Sequence, residues 1–226
     1  MIVYKYLRKE HLLEFKTSGS ILINTLYDLR KVENERIRDE LEGHHRMRIS
    51  SNEQSVRFSG KEFYRMIPGL KKVNKQQEEK IIVDIENGAQ FNMQIANAFV
   101  FCTSLKLDDS LWRARGYDTY YKITDPFDFA SILYEKINQV VTIKGFKLDA
   151  VKYVEKPITI TKSNKGQILS DPENQYWTAC FAKSRRFSEE REFRMAFVPE
   201  FSREIERIIV TCPELRRCCA FRSIDH

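Results

Sequence analysis

The sequence predicts an α+β fold built on a mixed or antiparallel sheet. Strand-like segments outnumber helical ones, and the two kinds do not alternate regularly along the chain. The chain has 226 residues, of which 42% are hydrophobic and 31% are charged, and it contains no repeat or low-complexity linker. We therefore expect a single domain over residues 1–226, with helices packed around the sheet.

The N-terminal segment predicts a strand, a short helix, a turn and a second strand. Residues 2–7 alternate between polar and apolar side chains, and residues 8–18 follow a short helical pattern. Gly19 is expected to end that helix, because glycine is favoured just after a helix C-terminus. Residues 21–26 form the second expected strand.

Two charged stretches and one apolar run fill the middle of the chain. Charges of both signs interleave over residues 28–50, which is typical of a solvated helix face. Residues 75–97 also predict a helix, divided at Asn87-Gly88. Residues 98–105 are the most apolar run, which favours a central strand buried on both faces.

The second half of the chain predicts one helix and several strands. Asp125-Pro126 is expected to start a helix over residues 127–138. Strands are expected over residues 120–123, 151–154, 158–161, 177–181, 192–198 and 205–210.

Composition narrows the class of protein. No apolar run approaches the roughly 20 residues that a membrane span needs, and the first residues lack a secretory-signal pattern. We therefore expect a cytoplasmic protein with no membrane partner. The five cysteines lack Cys-x-x-Cys spacing and the four histidines lack metal-ligand spacing, so neither a disulfide framework nor a metal site is expected.

The charge balance favours an acidic partner. The formal net charge is +6 and the pI is about 9.0. Lysine and arginine gain affinity for RNA or DNA by releasing phosphate counterions. Phosphate-loop, dinucleotide-binding and nucleophile-elbow motifs are absent from the sequence.

The segment around Glu190 and Glu192 is the strongest candidate for chemistry. If residues 191–198 form a strand, Glu190, Glu192 and Arg194 point to the same face, because side chains alternate with period two. Paired carboxylates can raise one pKa or stabilise a developing cation. The spacing by itself favours another interpretation, an edge strand whose charges prevent aggregation.

Two further segments have both a functional and a structural interpretation. Thr103-Ser104 could bind a ligand or cap the turn that follows the apolar strand. Trp112-Arg113, with Tyr117 and Tyr120-Tyr121, could stack bases and hold phosphate, or could anchor the core.

Taken in order, five segments resemble a family of uncharacterised bacterial domains found in phage-defence and abortive-infection loci. They are Tyr4-Lys5-Tyr6, residues 38–43, Cys102-Thr103-Ser104, residues 112–116 and Glu190-Arg191-Glu192-Phe193-Arg194. Arg38 and Glu40 stand where the family pattern has Asn and Pro, and Arg115 stands where Tyr is usual.

The same layout is similar to ADP-ribosyltransferases, especially the toxins that modify nucleic acids. The resemblance implies a sheet of ADP-ribosyltransferase type and NAD as co-substrate. It implies that Glu192 is the catalytic carboxylate, which orients the ribose 2′-OH and stabilises the oxocarbenium-like centre as nicotinamide leaves. Glu190 would position or deprotonate the acceptor nucleophile.

The resemblance also implies which residues contact the two substrates. The residues expected to contact NAD are Lys5, Tyr6, Ser104, Arg113, Tyr117 and Tyr121. Arg113 would pair with the pyrophosphate, and Tyr117 or Tyr121 would stack on nicotinamide. Arg38, Arg185 and Arg186 would contact acceptor phosphates, together with other cations of residues 28–50 and 183–186.

Three functional hypotheses follow from these observations. The first is an NAD-dependent ADP-ribosyltransferase toxin of anti-phage defence or of a toxin–antitoxin system. It would modify RNA in preference to DNA and have a cognate antitoxin protein as a possible partner. The alternative is a non-catalytic nucleic-acid- or protein-binding module of a defence system. A nuclease ranks third, because the sequence contains no visible carboxylate–metal cluster.

Overall fold

The computed structural model describes residues 1–30, 44–49, 55–66, 82–86, 89–94, 97–154, 158–160, 172–200 and 205–223. The chain divides into two compact units. The first comprises Met1–Glu42, Ala96–Tyr153 and Cys180–His226, and the second comprises Gly43–Ile95 and Val154–Ala179. Helices and antiparallel strands are mixed, which confirms the α+β prediction, whereas one domain over residues 1–226 stays a prediction.

The strands are numbered in chain order. They are β1 (Val3–Leu7), β2 (Ser20–Thr25), β3 (His44–Ile49), β4 (Ser55–Ser59), β5 (Ile82–Glu86), β6 (Ala89–Gln94), β7 (Phe99–Ser104), β8 (Thr119–Ile123), β9 (Ile143–Ala150), β10 (Lys152–Val154), β11 (Ile158–Ile160), β12 (Ala182–Ser184), β13 (Glu192–Pro199), β14 (Ile208–Thr211) and β15 (Cys219–Ser223).

The helices are numbered in the same way. They are α1 (Lys9–Ser18), α2 (Leu26–Arg30), α3 (Gly60–Met66), α4 (Asp109–Ala114), α5 (Pro126–Val140) and α6 (Pro172–Cys180), with 3₁₀ helices at Arg185–Glu190 and Pro213–Cys218. No helix in the described ranges is long and apolar enough to cross a membrane.

The first unit is organised by an eight-stranded antiparallel sheet. Six strands follow the order β14-β2-β7-β1-β8-β15, while β13 pairs with β7 and β9 pairs with β13. Strand β7 pairs with β1, β2 and β13 and is buried along most of its length. The expectation of a central strand at residues 98–105 is confirmed.

The sheet of the first unit splits beside β7. Strand β13 pairs with β7 from Phe99 to Ser104, so β1 and β2 must share the other edge of β7. Strand β2 pairs with that edge at Phe99 and Val100, and β1 pairs with it at Ser104. A gap therefore opens between β1 and β2 beside Cys102.

Helices α1 and α5 bury their apolar side chains against this sheet. Phe15 of α1 and Phe129 and Leu133 of α5 belong to one core cluster with Phe101 of β7. Asp125 accepts hydrogen bonds from the first N–H groups of α5, and Pro126 occupies its first turn. The predicted start of this helix is confirmed.

The second unit contains two small sheets. Strands β11, β3 and β6 form the first, in which β11 is parallel and β6 antiparallel to β3. Strands β4 and β5 form the second, an antiparallel pair. Elsewhere in the chain, β10 pairs with β12.

Three predicted elements differ from the structure. Residues 82–86 and 89–94 are strands rather than a helix, and residues 44–49 are a strand where a helix face was expected. Residues 31–43, 50, 75–81, 87–88 and 95–96 of these stretches lie outside the described residues. In β5 the side chains alternate between exposed and half-buried, so pairing with β4 prevails over local helix propensity.

The third difference lies at residues 177–181. This apolar run predicts a strand, but most of it belongs to helix α6, which begins at Pro172. A short apolar run is compatible with either structure, and periodicity does not distinguish them.

Gly19 ends helix α1 as the sequence predicts. Its φ is +77° and its N–H donates to the Phe15 carbonyl. A Cβ at this position would lie 2.5 Å from the Pro213 nitrogen. Both the left-handed conformation and the close backbone of Pro213 therefore require glycine here.

We predict that Gly19→Ala lowers the free energy of unfolding by about 3 kcal/mol, through left-handed strain and a backbone clash. Gly116→Ala is the matched control, because Gly116 has a φ of +89° and open space around its Cβ position. The control should cost about 1 kcal/mol from strain alone. Urea unfolding of both variants measures the difference, and equal losses would contradict the clash.

Candidate active site

The strand that contains Glu192 lies inside the sheet. Strand β13 pairs with β7 on one edge and with β9 on the other. The interpretation of this segment as an edge strand is therefore wrong. Glu192 and Arg194 lie opposite Ser104 and Cys102 of β7, so the polar residues of both strands meet on one face.

Glu190 reaches the same site by a tight turn. It is the last residue of the 3₁₀ helix Arg185–Glu190, which ends at Arg191 with φ 47° and ψ 46°. The Arg191 carbonyl accepts a hydrogen bond from the Leu105 N–H at 2.8 Å. This left-handed residue brings Glu190 beside Glu192, although Glu190 precedes the strand.

Lys183 joins the two carboxylates. Its Nζ lies 2.7 Å from Glu190 Oε2 and 2.8 Å from Glu192 Oε2. The side chains of Lys183, Glu190 and Glu192 are 8%, 3% and 4% exposed. Because water is nearly excluded, these charge-assisted hydrogen bonds are much stronger than at the surface.

Two arginines bind the other carboxylate oxygens. Arg194 Nε donates to Glu192 Oε1 at 2.6 Å, and Arg115 Nη1 donates to Glu190 Oε1. Arg194 also donates to the Cys180 carbonyl at 2.7 Å. We call Lys183, Arg115, Arg194, Glu190 and Glu192 the buried ion-pair network. Each of its four carboxylate oxygens has a cationic partner.

The network keeps Glu192 ionised. Burial raises the pKa of Glu192, but the charges and hydrogen bonds of Arg194 and Lys183 outweigh it. The pKa of Glu192 therefore lies well below its ordinary value. The result is a fixed anion on the inner strand of the sheet.

Two cavities adjoin Glu192. The smaller, which we call the central cavity, has a volume of about 230 Å³ and is lined by Lys5, Tyr6, Ser104, Tyr117, Glu190 and Glu192, among others. The larger, which we call the outer cavity, has a volume of about 890 Å³. Its lining includes Tyr153, Arg185, Ser188 and Arg191 as well as Glu192.

The predicted NAD-contacting residues of the first strands lie at the central cavity. Lys5 Nζ donates to the Cys102 carbonyl at 2.9 Å. The Tyr6 hydroxyl accepts from the Asp108 N–H at 2.7 Å, and the Tyr6 ring stacks on Trp112 at 4.9 Å. Tyr117 packs edge-on against Trp112.

Ser104 has a structural role in this conformation. Its hydroxyl lies 2.7 Å from the Glu190 carbonyl and 2.9 Å from the Lys106 carbonyl, and it accepts from the Lys106 N–H. The expected capping of the following turn is therefore present. The contact with Glu190 also ties the end of β7 to the ion-pair network.

The other predicted site residues do not line the central cavity, although Arg185 lines the outer one. Arg113 is exposed on helix α4, and Tyr121 is 1% exposed in the core against Phe15. Arg185 and Arg186 are exposed, with the Arg186 guanidinium 4.5 Å from the centre of the Phe187 ring. Arg38 lies outside the described residues.

Sequence reasoning missed the roles of Lys183 and Arg115. The family resemblance places Lys183 with Arg185 and Arg186 as a phosphate contact, but its side chain is buried between the two glutamates. The resemblance assigns no role to Arg115, which departs from the family pattern. A usable signal for Lys183 is its place one residue from the apolar Phe181-Ala182 pair, within a strand-like segment.

The polar side chains that meet at Glu192 are two carboxylates and three cations. Within the described ranges, no group of three or more His, Cys, Asp or Glu side chains could hold a metal ion.

Comparisons with protein-family models, with characterised proteins and with solved structures found no match.

We predict that Lys183→Met lowers the free energy of unfolding by about 3 kcal/mol near pH 7, because it leaves two carboxylates buried without their shared cation. The ion pair of Glu192 contributes stability above the unfolded pKa of about 4.5 and loses it as the pH falls through the lowered folded pKa. The deficit of the variant should therefore shrink between about pH 7 and pH 3. Urea unfolding at both pH values measures it.

Lys147→Met is the control for this prediction. Lys147 pairs with Asp149 at 3.3 Å, but the two side chains are 45% and 43% exposed. Its loss should cost less than about 0.5 kcal/mol. If both lysines cost the same, or if the Lys183→Met deficit grows at low pH, the account of the network is wrong.

Proposed function

We propose that this protein is an NAD-dependent ADP-ribosyltransferase that modifies nucleic acid, RNA in preference to DNA, as a toxin of anti-phage defence or of a toxin–antitoxin system. One observation carries the proposal. Residues expected from four separate segments (Lys5 and Tyr6, Ser104, Tyr117, and the two glutamates) line a single cavity. Residues with no shared function would not be expected to line one cavity.

The electrostatics of Glu192 suit the proposed step. Transfer breaks the bond between the ribose C1′ and the nicotinamide nitrogen, nicotinamide leaves, and positive charge develops on the ribose. A carboxylate held ionised in a water-poor site stabilises such charge without reorganising. Glu190 would accept the proton that the acceptor nucleophile loses as its new bond to C1′ forms.

The volumes of the two cavities suit separate places for nicotinamide and for the acceptor. The central cavity of about 230 Å³, with Tyr6 and Tyr117 in its lining, suits a ring of nicotinamide size. The outer cavity of about 890 Å³ lies within the range of ligand sites, and Glu192 lines it too. The acceptor would enter there and meet the ribose at Glu192, which lines both cavities, with Glu190 on the side of the central cavity.

The net charge of the chain, rather than that of the outer cavity, supports a nucleic-acid acceptor. Three cations (Lys106, Arg185 and Arg191) and three carboxylates (Asp108, Glu189 and Glu192) line this cavity. Cations at its rim would neutralise acceptor phosphates, in keeping with the net charge of +6. The proposal includes a sheet of ADP-ribosyltransferase type and an antitoxin partner. The gap between β1 and β2 supports a binding cleft beside Cys102.

A non-catalytic binding module is the second candidate. The ion-pair network favours this candidate, because every carboxylate oxygen of Glu190 and Glu192 is already bound by a cation. A network of this kind also serves to fix the start of β13. On this reading the protein binds nucleic acid or protein and transfers nothing from NAD.

We predict that the wild-type protein transfers label from NAD carrying a labelled adenylate to RNA, and that Glu192→Gln slows this transfer by about a hundredfold or more. The amide keeps the shape of the side chain but removes its charge. Gel analysis of labelled RNA, single-stranded DNA, duplex DNA and protein acceptors measures the rate and identifies the acceptor class.

Glu200→Gln is the control for this variant, because Glu200 is an exposed glutamate just beyond the other end of β13. It should transfer label at the wild-type rate. Circular dichroism at the assay temperature verifies that both variants are folded. Absence of transfer and of NAD binding in the wild type, with RNA binding retained in Glu192→Gln, would refute the enzyme and support the binding module.

A further inference from the structure

Strand β9 forms one edge of the eight-stranded sheet. Among the described strands it pairs with β13 alone, and it has eight residues. The other two edge strands, β14 and β15, have four and five residues. Exposed edges are usually kept short, because their unpaired N–H and C=O groups bind other chains. Strand β9 is therefore the edge of this sheet that is best suited to a further strand.

The backbone groups that β9 turns outward follow from its register with β13. The Val151 N–H donates to the Glu192 carbonyl at 2.9 Å, and the same register continues back to Gly145. In an antiparallel pair, alternate residues turn both their N–H and their C=O toward the neighbouring strand. The residues between them turn these groups away from β13. They are Phe146, Leu148 and Ala150.

The part of this edge that can accept a strand is centred on Leu148. The Lys152 N–H donates to the Phe181 carbonyl at 2.7 Å, so the outer side of the chain is occupied beyond Ala150. At the opposite end of β9 the register with β13 is irregular. The regular outward-facing stretch is therefore Phe146–Ala150.

The charges of β9 are complementary to those of a second copy of the same strand. A two-fold axis at Leu148 would pair two copies antiparallel, so that Lys147 of each lies opposite Asp149 of the other. These side chains share one face and are 45% and 43% exposed. Because Lys147 turns its backbone groups toward β13, its position is one at which opposing side chains come closest. Opposite charges would meet there in both halves of the pair.

The other face of the edge would be apolar across the same axis. Phe146 would lie opposite Ala150 of the second copy, and Leu148 opposite its own counterpart. The Phe146 side chain is 39% exposed, although its ring stacks on Tyr134 of α5 with the ring centres 4.9 Å apart. Pairing would therefore cover apolar surface that a single copy leaves in water.

We propose that two copies of this chain associate through their β9 edges, antiparallel and about a two-fold axis at Leu148, so that two sheets become one. The paired stretch is short, so the dimer is weak and depends on protein concentration. Ala150 also lines the outer cavity, which places the second copy beside that cavity. The association does not depend on NAD transfer.

Sedimentation velocity of the wild-type chain without NAD or RNA measures this association. The mean mass should rise with protein concentration from the 26.8 kDa of one chain toward twice that value. Lys147→Asp and Asp149→Lys each place like charges opposite each other in both halves, so each should weaken self-association about tenfold or more. An equimolar mixture of the two variants restores opposite charges in both halves and should associate as tightly as the wild type.

Arg8→Asp is the matched control, because Arg8 and Glu10 form another exposed ion pair, at 3.9 Å, outside β9. It should associate like the wild type, and circular dichroism verifies that each variant is folded. Amide hydrogen exchange should slow at Phe146 and Leu148 as the protein concentration rises. A wild type that is monomeric at every concentration would overturn the proposal and leave the edge to a different protein chain. A dimer without slower exchange at these two amides, or a variant mixture no tighter than its components, would overturn it as well.

Discussion

The ammonium group of Lys183, held between the carboxylates of Glu190 and Glu192, is the contact on which the rest of the site depends. Two carboxylates this close and this buried would repel each other and force one to take up a proton. With the shared cation, and with Arg194 on the far side of Glu192, the pKa of Glu192 instead lies well below its ordinary value. Bringing the two carboxylates together requires a left-handed backbone conformation at Arg191, and the ion-pair network offsets the strain of that conformation.

The same residues connect the network to the architecture of the sheet. Ser104 ends the central strand and binds the Glu190 carbonyl, so the end of β7 and the start of β13 are fixed together. Beside them, β1 and β2 separate, and the side chain of Lys5 satisfies the Cys102 carbonyl that no neighbouring strand reaches at this point. A cavity beside a fixed anion is thus a consequence of how the sheet splits.

Local patterns predicted the parts of this site that depend on one segment. Period-two alternation placed Glu192 and Arg194 on one face, and the apolar run at residues 98–105 located the central strand. The pattern does not show that β13 has a neighbour on each edge, because the sequence does not predict strand β9. The sequence pattern also does not show that Lys183 contacts Glu192. This contact requires the 3₁₀ helix between them, and the geometry of that helix follows from tertiary packing rather than from the spacing of residues in the sequence.

The central claim is that Glu192 lies at a cavity inside the fold with a pKa well below its ordinary value. The most direct measurement is a carbon-13 NMR titration of the glutamate side-chain carboxyls, with the Glu192 resonance assigned by substitution. We predict that Glu192 stays ionised well below the ordinary value of 4.5. Titration of Glu192 at or above that value would contradict the network and, with it, the fixed anion that the proposed transfer requires.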